Sequence, residues 1–289
     1  METLLSLAFD NLSSYDGPKV RKGLRQIEGL LAQICLSDSD GQPQTQQRQQ
    51  QQQSPPPKDL CRLSHDPAFR EFFKLQEGFE WNVALRLIGT LDRLMAKGSD
   101  GQNDILILSA LDLVQGLLLL HPPSKSLFAR EQNMNLLLDL LEPFNCPAIQ
   151  SATLLTLVVA LLDAPTNTRT FEALDGLLTV TSLFKSRSTT REVKLKLVEF
   201  LYCYLMPETP SIPRADQRDS VPAMMQRSPS KLVGAFAAQP KRKKTVSSTE
   251  TTMTLTTEEK QGLLSRHLSS VEDLVKDLRN SAPFGGVVA

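Results

Sequence analysis

The sequence predicts an all-α fold of stacked helical repeats, and three observations carry that prediction. Two stretches match at an offset of 42 residues: Ser109 aligns with Ser151, Ala110 with Ala152, Leu119-Leu120 with Leu161-Leu162, and Pro123 with Pro165. Both copies also share one order, a long apolar helix, a proline-containing turn, a short helix carrying Phe128 or Phe171, then another long helix. Flanking segments keep apolar residues at spacings of three and four, the signature of one helical face. A helical period of roughly 40–47 residues is that of armadillo and HEAT repeats. The expectation is therefore an armadillo/HEAT-like helical repeat solenoid over residues 1–206, interrupted by a disordered insertion at 37–58. A disordered Ser/Thr/Pro-rich linker (207–255), a C-terminal amphipathic helix (256–280) and a flexible end (281–289) complete the chain.

In residues 1–36 one amphipathic helix is expected, with Val20, Leu24, Ile27, Leu30, Leu31 and Ile34 on its face and Asp16-Gly17-Pro18 as its start. Residues 37–58 hold a glutamine run and Pro55-Pro56-Pro57, with too little apolar surface to offset ordering entropy. Asp66-Pro67 then starts a short helix, aspartate as cap and proline in the first turn. Gly78 ends it, and Phe79, Val83, Leu87, Ile88, Leu91 and Leu94 form the next apolar stripe. The two matched units fill 104–142 and 146–185. A third begins at 190–206, where the helix is apolar almost all round, as expected if neighbours cover two sides. Six prolines punctuate the linker. Thr256 and Glu259 then form a capping-box pair ahead of Leu264, Leu268, Val271, Val275 and Leu278. That narrow seam either packs back on the stack, shielding an open end, or docks on a partner. Two good copies are few for a solenoid, so the divergent ends must complete the core.

Lysine plus arginine equals aspartate plus glutamate, 32 of each, so no global field draws the chain to nucleic acid or an anionic membrane. The N-terminus has no signal-peptide pattern, and the apolar run from Leu154 to Leu162 is far short of the ~20 residues of a bilayer span. A soluble, intracellular protein is the expectation. No Gly-rich phosphate loop, nucleophile elbow or metalloprotease helix is present, and no metal or cofactor is implied. Cys35, Cys61, Cys146 and Cys203 pair at no metal-ligand spacing and read as structural. His65, His121 and His267 read as capping or surface residues. A tyrosine-phosphatase site needs arginine six residues after its cysteine to hold phosphate bidentately; here those positions are Gly41, Pro67, Ala152 and Thr209. In the linker, Ser228-Pro229-Ser230-Lys231 matches the preference of cyclin-dependent kinases, making Ser228 a phosphorylation candidate. Lys241-Arg242-Lys243-Lys244 reads as a solvated charge run or as a nuclear import signal.

Four strings carry a family likeness: Asp16 to Leu24, Asp66 to Phe72, Trp81-Asn82-Val83-Ala84, and Leu274 to Arg279. In that order they resemble the fungal cell division control protein 14 family, a component of the septation initiation network and unrelated to the phosphatase of the same name. The resemblance implies a non-catalytic subunit that binds a sterile-twenty-like (germinal-centre-type) protein kinase and supports its activity. It also implies company with scaffold proteins of the spindle pole body during mitosis, in an otherwise cytoplasmic protein. The expected mode is docking of the kinase's non-catalytic tail on a groove lined by the last helix of each unit. Trp81, Asn82 and Arg86 stand on one such helix, Asn135 and Asp139 on the next. An adaptor for nuclear transport or chromatin, imported through residues 241–244, is the other reading.

Overall fold

A computed structural model describes residues 1–36, 58, 63–96, 101–208 and 254–272. Every regular element among them is helical: α1 (Glu2–Leu12), α2 (Gly17–Cys35), α3 (Pro67–Glu77), α4 (Val83–Ala96) and α5 (Asp104–Leu120) come first. A 3-10 helix (Pro122–Ala129), α6 (Glu131–Leu140), α7 (Pro147–Leu161) and α8 (Pro165–Ala173) follow. The series ends with α9 (Gly176–Lys185), α10 (Arg191–Leu205) and α11 (Thr257–Ser265).

Local chemistry sets most boundaries. The Asp66 carboxylate accepts from the backbone N–H of Ala68 at 2.7 Å and Phe69 at 3.1 Å, satisfying two of the orphan donors at the start of α3. Proline opens α3, α7 and α8, where its missing N–H costs nothing. Thr190 caps α10, and the Thr256–Glu259 capping box forms as its spacing predicts. Residues 1–36 hold two helices rather than one. In α1, Leu5, Ala8, Phe9 and Leu12 are buried at helical spacing, while exposed Leu4 and Leu7 blur the stripe in the sequence.

The long helices α2, α5, α7 and α10 lie side by side in one row. α4 packs along α5, and α1 packs along α2. Behind the row, the 3-10 helix, α6, α8 and α9 form a second layer, and the core lies between. Phe72, Phe128 and Phe171, one from each successive short helix, are fully buried, and Phe171 meets Phe200 of α10 at 5.6 Å between ring centroids. Side-chain amides stitch the helices together. Gln115 donates to the Ala152 carbonyl and the Thr156 hydroxyl across α5 and α7. Asn167 donates to the carbonyls of Lys125 and Ala160, and Gln150 to those of Leu141 and Glu142. The Gln150 and Asn167 amides thereby satisfy carbonyls at or near helix ends.

Two expectations change. Phe79 precedes α4 and is 75% exposed, so it is not part of that helix's buried stripe. Neighbours do cover α10 on more than one side, with α7 and α11 both packed on it, while Leu195 on its open side is 56% exposed. The tail helix stops at Ser265, and turns at Arg266–His267 and Ser269–Ser270 interrupt the expected 256–280 span. Its seam nevertheless buries: Leu264, Leu268 and Val271 join the core, each contributing roughly 1.5–3 kcal/mol of apolar burial. Val275, Leu278, most of the insertion and linker, and Cys61 lie outside the described residues.

α11 runs antiparallel along α10. Lys260 Nζ donates to the Met206 carbonyl at 3.0 Å near the end of α10, while Lys185 Nζ donates to the His267 carbonyl just before α10 begins. The expected linker is thus tied at both ends. Glu208 N donates to the Leu255 carbonyl at 3.1 Å, and Leu255 N returns to Glu208 Oε2 at 2.9 Å. Similarly Lys58, assigned by sequence to the insertion, donates from its backbone to Cys35 and pairs with Asp66 at 2.7 Å.

Candidate partner-binding surfaces

Trp81, Asn82 and Arg86 come together at the corner where α1 meets the start of α4. Buried Gln76 builds this turn, donating to the Trp81 carbonyl at 3.1 Å and accepting from Val83 N at 2.8 Å. Asn82 has a structural role: its side-chain oxygen caps α4 through Leu85 N, and its amide donates to the Gln76 carbonyl. Trp81, half-buried, stacks on Phe9 with centroids 6.3 Å apart. The Arg86 guanidinium lies 5.3 Å from the Phe9 ring and 5.9 Å from that of Phe79. Its Nε is buried with no hydrogen-bond partner among the described residues. The corner therefore offers an exposed Phe, a half-buried Trp and a cation held between rings. The sequence marked Trp81 and Arg86 but read Phe79 as part of α4's buried stripe, and it missed Phe9, which lies on a helix it did not anticipate.

Asn135 and Asp139 are exposed on α6, in the second layer. The Asp139 carbonyl accepts from the Asn145 amide, so this end of α6 is tied to the turn before α7. The structure thus splits the five sequence-selected residues between a corner of the molecule and its second layer. The helices that form the continuous row are α2, α5, α7 and α10, rather than the last helix of each unit. Register explains the difference: a 42-residue repeat shows that units recur but not which helix of the unit begins it. Ser228 and the basic run Lys241, Arg242, Lys243 and Lys244 lie outside the described residues.

A third cluster was not anticipated. Glu208 accepts from Arg169 at 2.7 Å and from Lys260 at 3.1 Å. Arg169 also pairs with Glu172 at 3.1 Å, whose carboxylate accepts from the Tyr204 hydroxyl at 2.7 Å. The Lys260 ammonium stands 5.2 Å from the Tyr204 ring. Burial pushes the Glu172 carboxyl up and the Lys260 ammonium down, each partly countered by its hydrogen-bond partner. Two cations face two carboxylates, so the cluster is neutral and closed, a lock for the tail rather than a reactive centre. Lys260 sits four residues before Leu264, on the seam itself, and that lysine is the signal the sequence held.

His121 stands at a cap position, as the C-cap of α5 and the N-cap of the 3-10 helix, but not at the surface. It is buried, with Nδ1 2.8 Å from the Ser124 hydroxyl and its ring edge-on to Phe73, and burial lowers its pKa. Cys35, Cys146 and Cys203 are free thiols. Among the described residues no cluster of metal-ligating side chains is present.

The described residues form a layered stack of helices that leaves aromatic and apolar side chains open at its surface. The chain's sequence matches, over residues 1–284, the family described as cell division control protein 14, SIN component. It is 28% identical to the Schizosaccharomyces pombe protein "Cell division control protein 14", an alignment covering 99% of this chain and 97% of the relative. The chain belongs to this family of septation initiation network components. No solved structure matches it.

Proposed function

We propose that this chain is a non-catalytic regulatory subunit of septation initiation signalling, one that binds a sterile-twenty-like (germinal-centre-type) protein kinase and supports its activity. It works in the cytoplasm and accompanies the kinase, with scaffold proteins, to the spindle pole body in mitosis. Family membership sets the pathway, and the armadillo-like solenoid reading rests on the repeated short, medium and long helices over α3 to α10. The observation that carries kinase binding is the open corner of Phe79, Trp81 and Arg86. Trp and Arg are the residues most enriched at interface hot spots, and a tryptophan left half-buried beside an exposed phenylalanine is surface that a partner would dehydrate. Asn135 and Asp139 belong to this proposal only as a second, separate contact on α6.

The test is co-precipitation of the kinase from dividing cells with Trp81→Ala and Arg86→Glu, beside circular dichroism. Loss of the kinase with helix content intact is expected. A folded double variant that still retains the kinase refutes the corner as the docking site. A chain that brings down no such kinase at all refutes the function. Imaging the tagged chain through mitosis separates the import reading, which requires steady nuclear signal without a spindle-pole focus.

A further inference from the structure

The open face of the helix row carries five exposed aliphatic side chains on three adjacent helices. They are Ile105 and Leu119 on α5, Leu155 and Leu162 at the middle and end of α7, and Leu195 on α10, with exposures of 65, 60, 39, 42 and 56%. Helical phase puts them on one side. Each row helix is flanked by its neighbours and backed by the second layer, so its exposed stripe points outward. On α5 the stripe recurs at Ile105, Asp112 and Leu119, so a carboxylate interrupts its aliphatic run, and on α7 it recurs at Ala148, Leu155 and Leu162. α7 in the middle has no charged residue anywhere along its length. Charge flanks this uncharged centre, with Asp112 midway along the α5 stripe, Arg21 and Arg25 on α2, and Glu192 and Glu199 on α10, all exposed. An apolar centre with a polar rim is the anatomy of a protein interface.

We infer that this face is a self-association surface whose occupant is a second copy of the chain, related by a two-fold axis running over α7. Two arguments select a second copy. At a two-fold axis each residue meets its own image, so a charge there would face a like charge; α7 avoids this by carrying none. The area also suits a dimer. The five side chains expose roughly 500 Å² of aliphatic surface, and a standard interface buries about 800 Å² per partner, somewhat over half of it apolar. The tail helix is not the occupant, because it is already seated along the outer flank of α10 through Lys260 and Glu208.

The experiment is sedimentation velocity and light scattering of the purified full chain at tens of micromolar. A two-chain particle is expected. Leu155→Asp, which places two carboxylates across the axis, should weaken the dimer at least about tenfold while leaving helix content unchanged. Should Leu155→Asp lose helix content, Leu195→Lys, on a different helix, is read in its place with the same expectation. A wild-type chain that stays single at this concentration overturns the inference, as does a dimer that neither variant weakens. Trp81→Ala with Arg86→Glu should leave the dimer intact, so failure of the kinase proposal and failure of this one give different results.

Discussion

Glu208→Ala should release the tail from the stack. The wild-type carboxylate neutralises Arg169 and Lys260 and accepts from Leu255 N, while its own side chain is only 8% exposed. Removing one partner of a buried ion pair costs about 3–5 kcal/mol, most of it the penalty of the charge left behind. The partners that remain place the cost at the lower end. Arg169 keeps Glu172 at 3.1 Å, and Lys260 keeps the Met206 carbonyl and the Tyr204 ring. A cost of about 3 kcal/mol corresponds to roughly a hundredfold in an equilibrium constant. Of the contacts removed, the Lys260 ion pair and the Leu255 hydrogen bond join the tail to the body, while the Arg169 pair lies within the body, where Arg169 keeps Glu172, so the opening is mainly local to the tail. Hydrogen exchange at the amides of α11 should accelerate about a hundredfold, while amides in the middle of α7 keep their protection. The double variant Glu208→Gln with Lys260→Met should recover much of it, since a packed neutral pair replaces a buried ionic one at little cost. Unchanged α11 protection in Glu208→Ala, or acceleration shared equally by α7, refutes the view that this cluster locks the tail.

Three further outcomes rest on individual side chains. Asp66 has its pKa lowered chiefly by the Lys58 hydrogen bond and then by the N–H of Phe69; its stabilisation is present above the unfolded carboxylate value and lost as pH falls through the lowered folded value. Asp66→Asn keeps the helix cap, so denaturant melts of this variant should be flatter than wild type below about pH 4. A Cβ at Gly176 would meet ring carbons of Phe171 and lie 2.6 Å from its carbonyl oxygen, so Gly176→Ala should cost about 1–3 kcal/mol in a urea melt. By contrast a Cβ at Gly89, on the exposed side of α4, meets nothing, and Gly89→Ala should gain up to about 1 kcal/mol in the same melt.

Much of the chain was legible because its signals are local. Asp66-Pro67, Thr256 with Glu259, and the Phe128–Phe171 correspondence each act within a few residues or one repeat, and the helices start and pack as those signals require. Local signals fail where a contact depends on distance along the chain. Phe9 meets Trp81 and Arg86 across more than seventy residues, and no periodicity in either segment announces it. Lys260 falls on the apolar seam of α11, and nothing local explains it; it is the tail's anchor, because Glu208 at the end of α10 neutralises it.

By itself the sequence determined that this protein is helical and that it belongs with the septation initiation components, since propensity, spacing and string order survive without a partner in space. Only the tertiary structure decided which helices form the row and therefore which stripe is left open. A helix with apolar residues on several sides, such as α7 or α10, has no preferred inside until its neighbours arrive. Packing α5 and α10 against its flanks and the second layer against its back consumes three sides of α7, and Leu155 and Leu162 are what remain.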